Sequence, residues 1–233
     1  MAVILNIDTS TTVCSTALTA EGLVLRHFED FQGRNHAALL SGYIKACLDH
    51  AREKEIKLEA VAVSMGPGSY TGLRIGLSEA KGLAYALGIP MIGVSTLQLM
   101  ATHVMFDGED YGDSPVFVPM IDARRMEVYT AAYDLALSEV MAPQALVLDG
   151  DSYAGLFGGG REVVFFGDGS DKARDLICTR HPQARFVSGV VPLAVDMLAL
   201  AERAYARRDF LDTAYCVPAY LKDFQATKPK PRL

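Results

Sequence analysis

Residues 2–19 read "AVILNIDTSTTVCSTALT" and residues 116–134 read "VFVPMIDARRMEVYTAAYD". Each is an apolar run ending in aspartate (Asp8 or Asp122), then a polar turn, then a second strand-like run. A phrase used twice in one chain predicts two related lobes. We place their boundary in the turn-rich stretch from Tyr111 to Pro115, giving an N-terminal lobe of residues 1–110 and a smaller C-terminal lobe of residues 111–233.

The segments around the two phrases alternate between strand and helix patterns. "GLVLRHFEDF" from Gly22 reads as a third strand after a Glu21-Gly22 turn. In "NHAALLSGYIKACLDHAREK", His36, Leu39, Leu40, Tyr43, Ile44, Cys47, Leu48 and Ala51 recur at helical spacing, with Asn35 as N-cap. "LEAVAVSM" from Leu58 and "PMIGV" from Pro90 read as strands, and "STLQLMATHVM" as a helix capped by Ser95. The second half repeats the alternation and closes with "PLAVDMLALAERAYARR", a long amphipathic helix. Such alternation predicts an α/β protein with a mixed sheet in each lobe.

Composition narrows the function. Half of the 233 residues are hydrophobic, enough for a full core, and the net charge is −6. An acidic chain is a poor match for nucleic acid, which needs clustered Lys and Arg. The one basic cluster is "KPKPRL" from Lys228, expected to be a flexible tail. Cys14, Cys47, Cys178 and Cys216 form no CxxC pair and read as free thiols of a reducing compartment. No basic leader precedes the first strand, and no run is long and apolar enough for a bilayer, so a cytoplasmic location without membrane contact is expected.

The stretch from Ser64 to Gly82, "SMGPGSYTGLRIGLSEAKG", reads as a strand-to-helix turn with Ser69 as cap, followed by a helix that accepts Gly72, Gly76 and Gly82. Each of those glycines costs up to ~1 kcal/mol against alanine. Gly72, Gly76, Ala80 and Ala84 are four apart and share one nearly bare face. Two readings stand: the stripe packs inside this chain, or it receives a helix of another protein.

Chemistry-bearing motifs are sparse. His27, His36, His50, His103 and His181 include no pair at helical ligand spacing, which argues against a metal site. "GPGS" lacks the Gly-Lys-[Ser/Thr] of a Walker loop. Remnants of phosphate loops are legible at Asp8, Thr9 and Ser10, at Gly66 and Gly68, and at Gly167 and Gly169. They leave room for a sugar-kinase-like ATPase using Asp8 and Thr9, but no catalytic residue is assigned and no cofactor is expected.

Taken together, "ILNIDTS", "GPGSYTGLRIG…AKGLA", "GVSTLQLMA", "IDARRMEVYTAAY" and "VPAYLK" make the chain resemble the TsaB (YeaZ) family over nearly its full length. Tyr70 stands where that family usually has Phe, and Lys222 where it has Arg. The resemblance implies an actin-like ATPase fold (ASKHA, RNase H-like). It implies a non-catalytic partner subunit for N6-threonylcarbamoylation of adenosine 37 in tRNAs reading codons that start with A. The partner is the catalytic subunit TsaD, with the ATPase TsaE at the heterodimer junction and a homodimer forming when the chain is alone; tRNA is met only through the complex. The metal-binding histidines of TsaD correspond here to Thr96 and Met100. A metallopeptidase reading, sometimes attached to the family, lacks that histidine pair. The implied contact comprises His36, Leu39, Leu40, Tyr43, Ile44 and Cys47 of the first helix, and Ser69, Gly72, Arg74, Ile75, Gly76, Glu79 and Ala80 of the glycine-rich helix.

Overall fold

A computed structural model describes residues 2–33 and 35–222. The basic cluster from Lys228 lies outside the described residues. Strands β1 (Ile4–Asp8), β2 (Cys14–Ala20), β3 (Leu23–Asp30), β4 (Ala60–Gly66) and β5 (Met91–Ser95) form one sheet in the order β3-β2-β1-β4-β5. Strands β6 (Val116–Asp122), β7 (Glu127–Tyr133), β8 (Glu139–Val147), β9 (Val163–Phe166) and β10 (Arg185–Val187) form the other, in the order β8-β7-β6-β9-β10. In each sheet the first three strands in the chain are antiparallel and the last two run parallel to the first. The repeated phrase thus marks the same two strands, β1–β2 and β6–β7, of two identically wound sheets.

Local chemistry sets the elements. Glu21 and Gly22 both take left-handed φ, 53° and 76°, as a tight hairpin between twisted strands requires. The inner strand β4 is buried on both faces, as a parallel strand covered on each side should be. Asn35 precedes helix α1 (His36–Glu53), but its side chain makes no capping bond; its carbonyl accepts from Ala38 and Leu39 N–H at 2.9 and 3.0 Å. Ser69 does cap helix α2 (Tyr70–Leu87), its hydroxyl accepting from Gly72 N–H at 3.2 Å, and Gly88 ends the helix with φ 64°. Ser95 caps helix α3 (Thr96–Met105) at 3.5 Å from Gln98 N.

Helices fill both faces of both sheets. Leu40, Ile44, Cys47 and Ala51 of α1 and Leu77, Ala80 and Ala84 of α2 pack on Leu5, Ile7, Leu18, Val61 and Val63. Helix α3 lies between the sheets: Leu99 joins the layer on the first, while Leu97, Met100, Ala101 and Val104 join Phe117, Ile121 and Tyr133 of the second. Helix α4 (Ser170–Arg180) covers the far face of the second sheet through Ala173 and Ile177, with a 3-10 segment, Ala154–Gly160, beside it.

The expected long C-terminal helix is a 3-10 turn, Ala194–Met197, leading into helix α5 (Leu198–Arg207). It does not stay with the second sheet. Met197, Leu200 and Ala201 pack on Ile4, Ala60, Ala62, Ile92 and Val94 of the first. Strand β10 has no counterpart in the sequence reading; three residues are too short to show alternation. Among the described residues no helix is long and apolar enough to cross a membrane.

Candidate partner-binding surface and interlobe cleft

The glycine stripe of α2 faces inward. A β-carbon at Gly72 would fall inside van der Waals contact of the Thr9 carbonyl oxygen, and one at Gly76 inside contact of the Thr9 hydroxyl. That hydroxyl donates to the Gly72 carbonyl at 2.8 Å. Ala80 and Ala84, further along the stripe, are buried in the core. The stripe is therefore the intrachain seat of the β1–β2 turn, which corrects its placement on a partner surface. His36, Leu40, Ile44 and Cys47 are also buried, and His36 Nε2 lies 3.0 Å from the Thr11 carbonyl oxygen.

The other expected contact residues lie at or near the surface. Leu39 and Tyr43 of α1 and Ile75 and Glu79 of α2 are half-buried, while Ser69 and Arg74 are exposed. Ser41 donates to Glu79 at 2.6 Å and ties the two helices side by side. Tyr43 stacks on Phe28 at 5.2 Å between centroids. Gly42 of α1 and Gly82 of α2 both face open space. So the helix pair does present small residues outward, but on a different side from the Gly72–Gly76 stripe.

Between the lobes lies a cleft of about 530 Å³. Ser10, Thr11 and Thr12 line it from the β1–β2 turn, Gly68 and Ser69 from the GPGS turn, and Asp122, Ala123 and Arg124 from the β6–β7 turn. Asp8 and Thr9 do not line it; both are fully buried. The Asp8 carboxylate accepts from Ser10 N–H at 3.2 Å and from the Ser10 hydroxyl at 3.0 and 3.1 Å. Burial pushes its pKa up to about 6. Ser10 O accepts in turn from Ser69 N–H at 2.6 Å, so the first turn is roofed by the start of α2. The two residues on which the sugar-kinase-like reading rests are thus both buried and outside the cleft lining.

On the opposite wall the charges are already matched. The Lys172 ammonium donates to the Asp122 carboxylate, to Arg125 O at 2.8 Å and to Glu127 O at 2.6 Å. Asp168 accepts from Asp122 N–H at 2.9 Å, and burial raises its pKa. Gly167, with φ 99°, and Gly169 sit where any side chain would strike the backbone of β6, so these glycines serve the close approach of the β9–α4 turn to that strand. Thr96 and Met100, where the resemblance implied that the catalytic relative carries histidines, are buried. A hydroxyl and a thioether make a poor hard-metal pair. Among the described residues no three His, Cys, Asp or Glu side chains gather as metal ligands would.

The segment after α5 lines one side of the cleft. Leu211 N–H donates to Met91 O at 2.8 Å, and Ala219 N–H to Met65 O at 2.7 Å. The Tyr220 ring lies 5.0 Å from that of Tyr70, tilted by 33°, and its hydroxyl accepts from Arg74 Nε at 3.1 Å. Lys222 pairs with Glu127 of β7, across 95 residues of sequence. The sequence motifs "DARRMEVY" and "VPAYLK" contain both partners, but nothing in their spacing announces the pair.

Two similarly wound sheets with helices on their faces and a cleft between them define a protein of the actin-like ATPase fold. The inorganic polyphosphate/ATP-glucomannokinase of Arthrobacter sp. strain KM shares that fold, with a TM-score of 0.50 and 12% identity over 89% of this chain and 100% of that one. The family model described as "TsaD: tRNA N6-adenosine threonylcarbamoyltransferase" matches residues 29–229. The tRNA threonylcarbamoyladenosine biosynthesis protein TsaB of Escherichia coli K12 is 32% identical over 98% of each chain. That of Bacillus subtilis 168 is 33% identical over 75% of this chain and 74% of its own. YeaZ from Pseudomonas aeruginosa superposes with a TM-score of 0.76 at 30% identity, over 95% of this chain and 100% of that one. The chain belongs to the TsaB (YeaZ) family of tRNA threonylcarbamoyladenosine biosynthesis proteins.

Proposed function

We propose that this chain is the non-catalytic partner subunit for N6-threonylcarbamoylation of adenosine 37 in tRNA. It binds and activates a TsaD-type catalytic subunit through the outward side of α1 and α2. The carrying observation is that these helices lie side by side, tied by Ser41 and Glu79, with Gly42 and Gly82 facing open space beside Leu39, Tyr43 and Ile75. Small residues let a second helix pair approach closely, and the half-buried apolar side chains beside them supply the area to be covered. The same side would pair two copies of this chain when TsaD is absent. TsaE would join at the heterodimer junction, and tRNA would be held by the complex.

Non-catalytic status is supported by the positions of the residues that chemistry would need. Asp8 and Thr9 are engaged beneath the α2 start, and Thr96 and Met100 lie in the core. Reconstituted tRNA modification by TsaD, TsaE and a supply of threonylcarbamoyl-adenylate should require this chain. Product formation by TsaD that is unchanged without it would overturn the proposal.

A further inference from the structure

Residues 211–222 run from the first lobe to the second along a prepared seat. A β-carbon at Gly66 would lie 2.9 Å from the Ala219 carbonyl oxygen. One at Gly93 would lie 2.8 Å from Met65 Cγ and 3.0 Å from Leu211 Cδ1. Two strands of the first sheet therefore lack side chains where this segment passes. Its first tie, Leu211 to Met91, lies on β5, the edge of that sheet, and so covers an otherwise open backbone. Residues 219–222 then form one wall of the cleft, and Lys222 reaches Glu127 on the far lobe.

The segment is held at points rather than along its length. Tyr215 and Val217 are 84% and 69% exposed, while Cys216 between them and Pro218 beyond turn inward. The Lys81 ammonium touches Ala214 O at 3.4 Å. The terminal pair is better sheltered, with side chains 30% and 19% exposed for Lys222 and Glu127. A segment fastened in this way, with only Leu211 and Cys216 resting on the edge of the first core, can detach as a unit while both sheets stay folded.

We propose that Leu211–Lys222 is a strap that holds the two lobes closed over the cleft, with the Lys222–Glu127 pair as its catch and the Tyr220 ring, seated on Tyr70 and Arg74, as its anchor. Releasing the catch frees the strap and widens the cleft, while the sheets stay folded. This holds for the isolated chain, whatever partner the chain binds.

The test uses the full chain. Fluorophores introduced as unnatural amino acids at Thr12 and Arg125 report the separation of the β1–β2 and β6–β7 turns. Amide exchange at Ala219 reports strap release. Glu127→Gln and Lys222→Gln should each lengthen the separation and speed exchange at Ala219 by about tenfold or more. The charge swap of Lys222→Glu with Glu127→Lys should restore both. Unchanged separation and exchange in the single variants overturn the proposal. So does a change that the swap fails to repair, because contacts other than the pair would then carry the effect.

Discussion

The Thr9 hydroxyl occupies the place where Gly76 would carry a β-carbon, and it donates to the Gly72 carbonyl at 2.8 Å. One threonine thus explains two helical glycines. Gly72→Ala drives a methyl onto the Thr9 backbone, which cannot swing away as a side chain can. We expect a loss of about 3 kcal/mol in urea unfolding. Gly82 faces open space, so Gly82→Ala should gain up to ~1 kcal/mol from helix propensity. Opposite signs at two glycines of one helix separate the inward side from the outward one.

For the partner surface, Gly82→Trp is the informative change. An indole there has room in the isolated chain and collides with any helix laid across α2. Circular dichroism and the melting temperature should stay near those of the parent, while affinity for TsaD in titration calorimetry falls by about a hundredfold or more. Undiminished binding by a folded variant would place the contact elsewhere.

Asp8 gives a signed pH prediction. Its pKa is about 6 when folded, against 3.8 for an unperturbed carboxyl. Between those values the folded chain keeps a proton that the unfolded chain releases. The associated stability is complete below about pH 4 and is lost as pH rises through 6, by roughly 3 kcal/mol. Asp8→Asn removes this component. Urea midpoints of parent and variant should lie close together at pH 4.5 and diverge in the variant's favour at pH 7.5; parallel curves would show that Asp8 stays ionised throughout.

The thiols should divide into two classes. Cys14 and Cys47 are buried, and burial raises both pKa values, Cys14 to about 11. Cys178 and Cys216 are half-buried. Ellman's reagent should therefore titrate two thiols in the folded chain and the remaining two only in denaturant.

What the sequence revealed follows from which forces are local. The repeated strand–aspartate–turn–strand phrase is a periodicity of the chain itself, and both halves fold on it. The caps at Ser69 and Ser95 are contacts three residues long, and they too were legible. The four-residue spacing of Gly72, Gly76, Ala80 and Ala84 was equally visible, but its direction was not. Whether a bare face meets Thr9 or a foreign helix depends on where the β1–β2 turn lands, some sixty positions upstream. The Lys222–Glu127 pair and the return of α5 to the first sheet are long-range for the same reason. Strand β10 was missed because its three residues take their shape from β9 beside them.

The return of α5 has a bearing on biosynthesis. Ile4, Ala60, Ala62 and Ile92 form a greasy layer that is covered in part by Leu99 of α3 and for the rest by the late-made Met197, Leu200 and Ala201. Translation proceeds from the N-terminus, so about a hundred residues must leave the ribosome after β5 before that cover exists. The strands made last have their neighbours at hand sooner than those made first. The earliest-made sheet is therefore the one that waits, sticky over part of one side, and the late arrival of α5 lengthens the time for which nascent chains are vulnerable to aggregation.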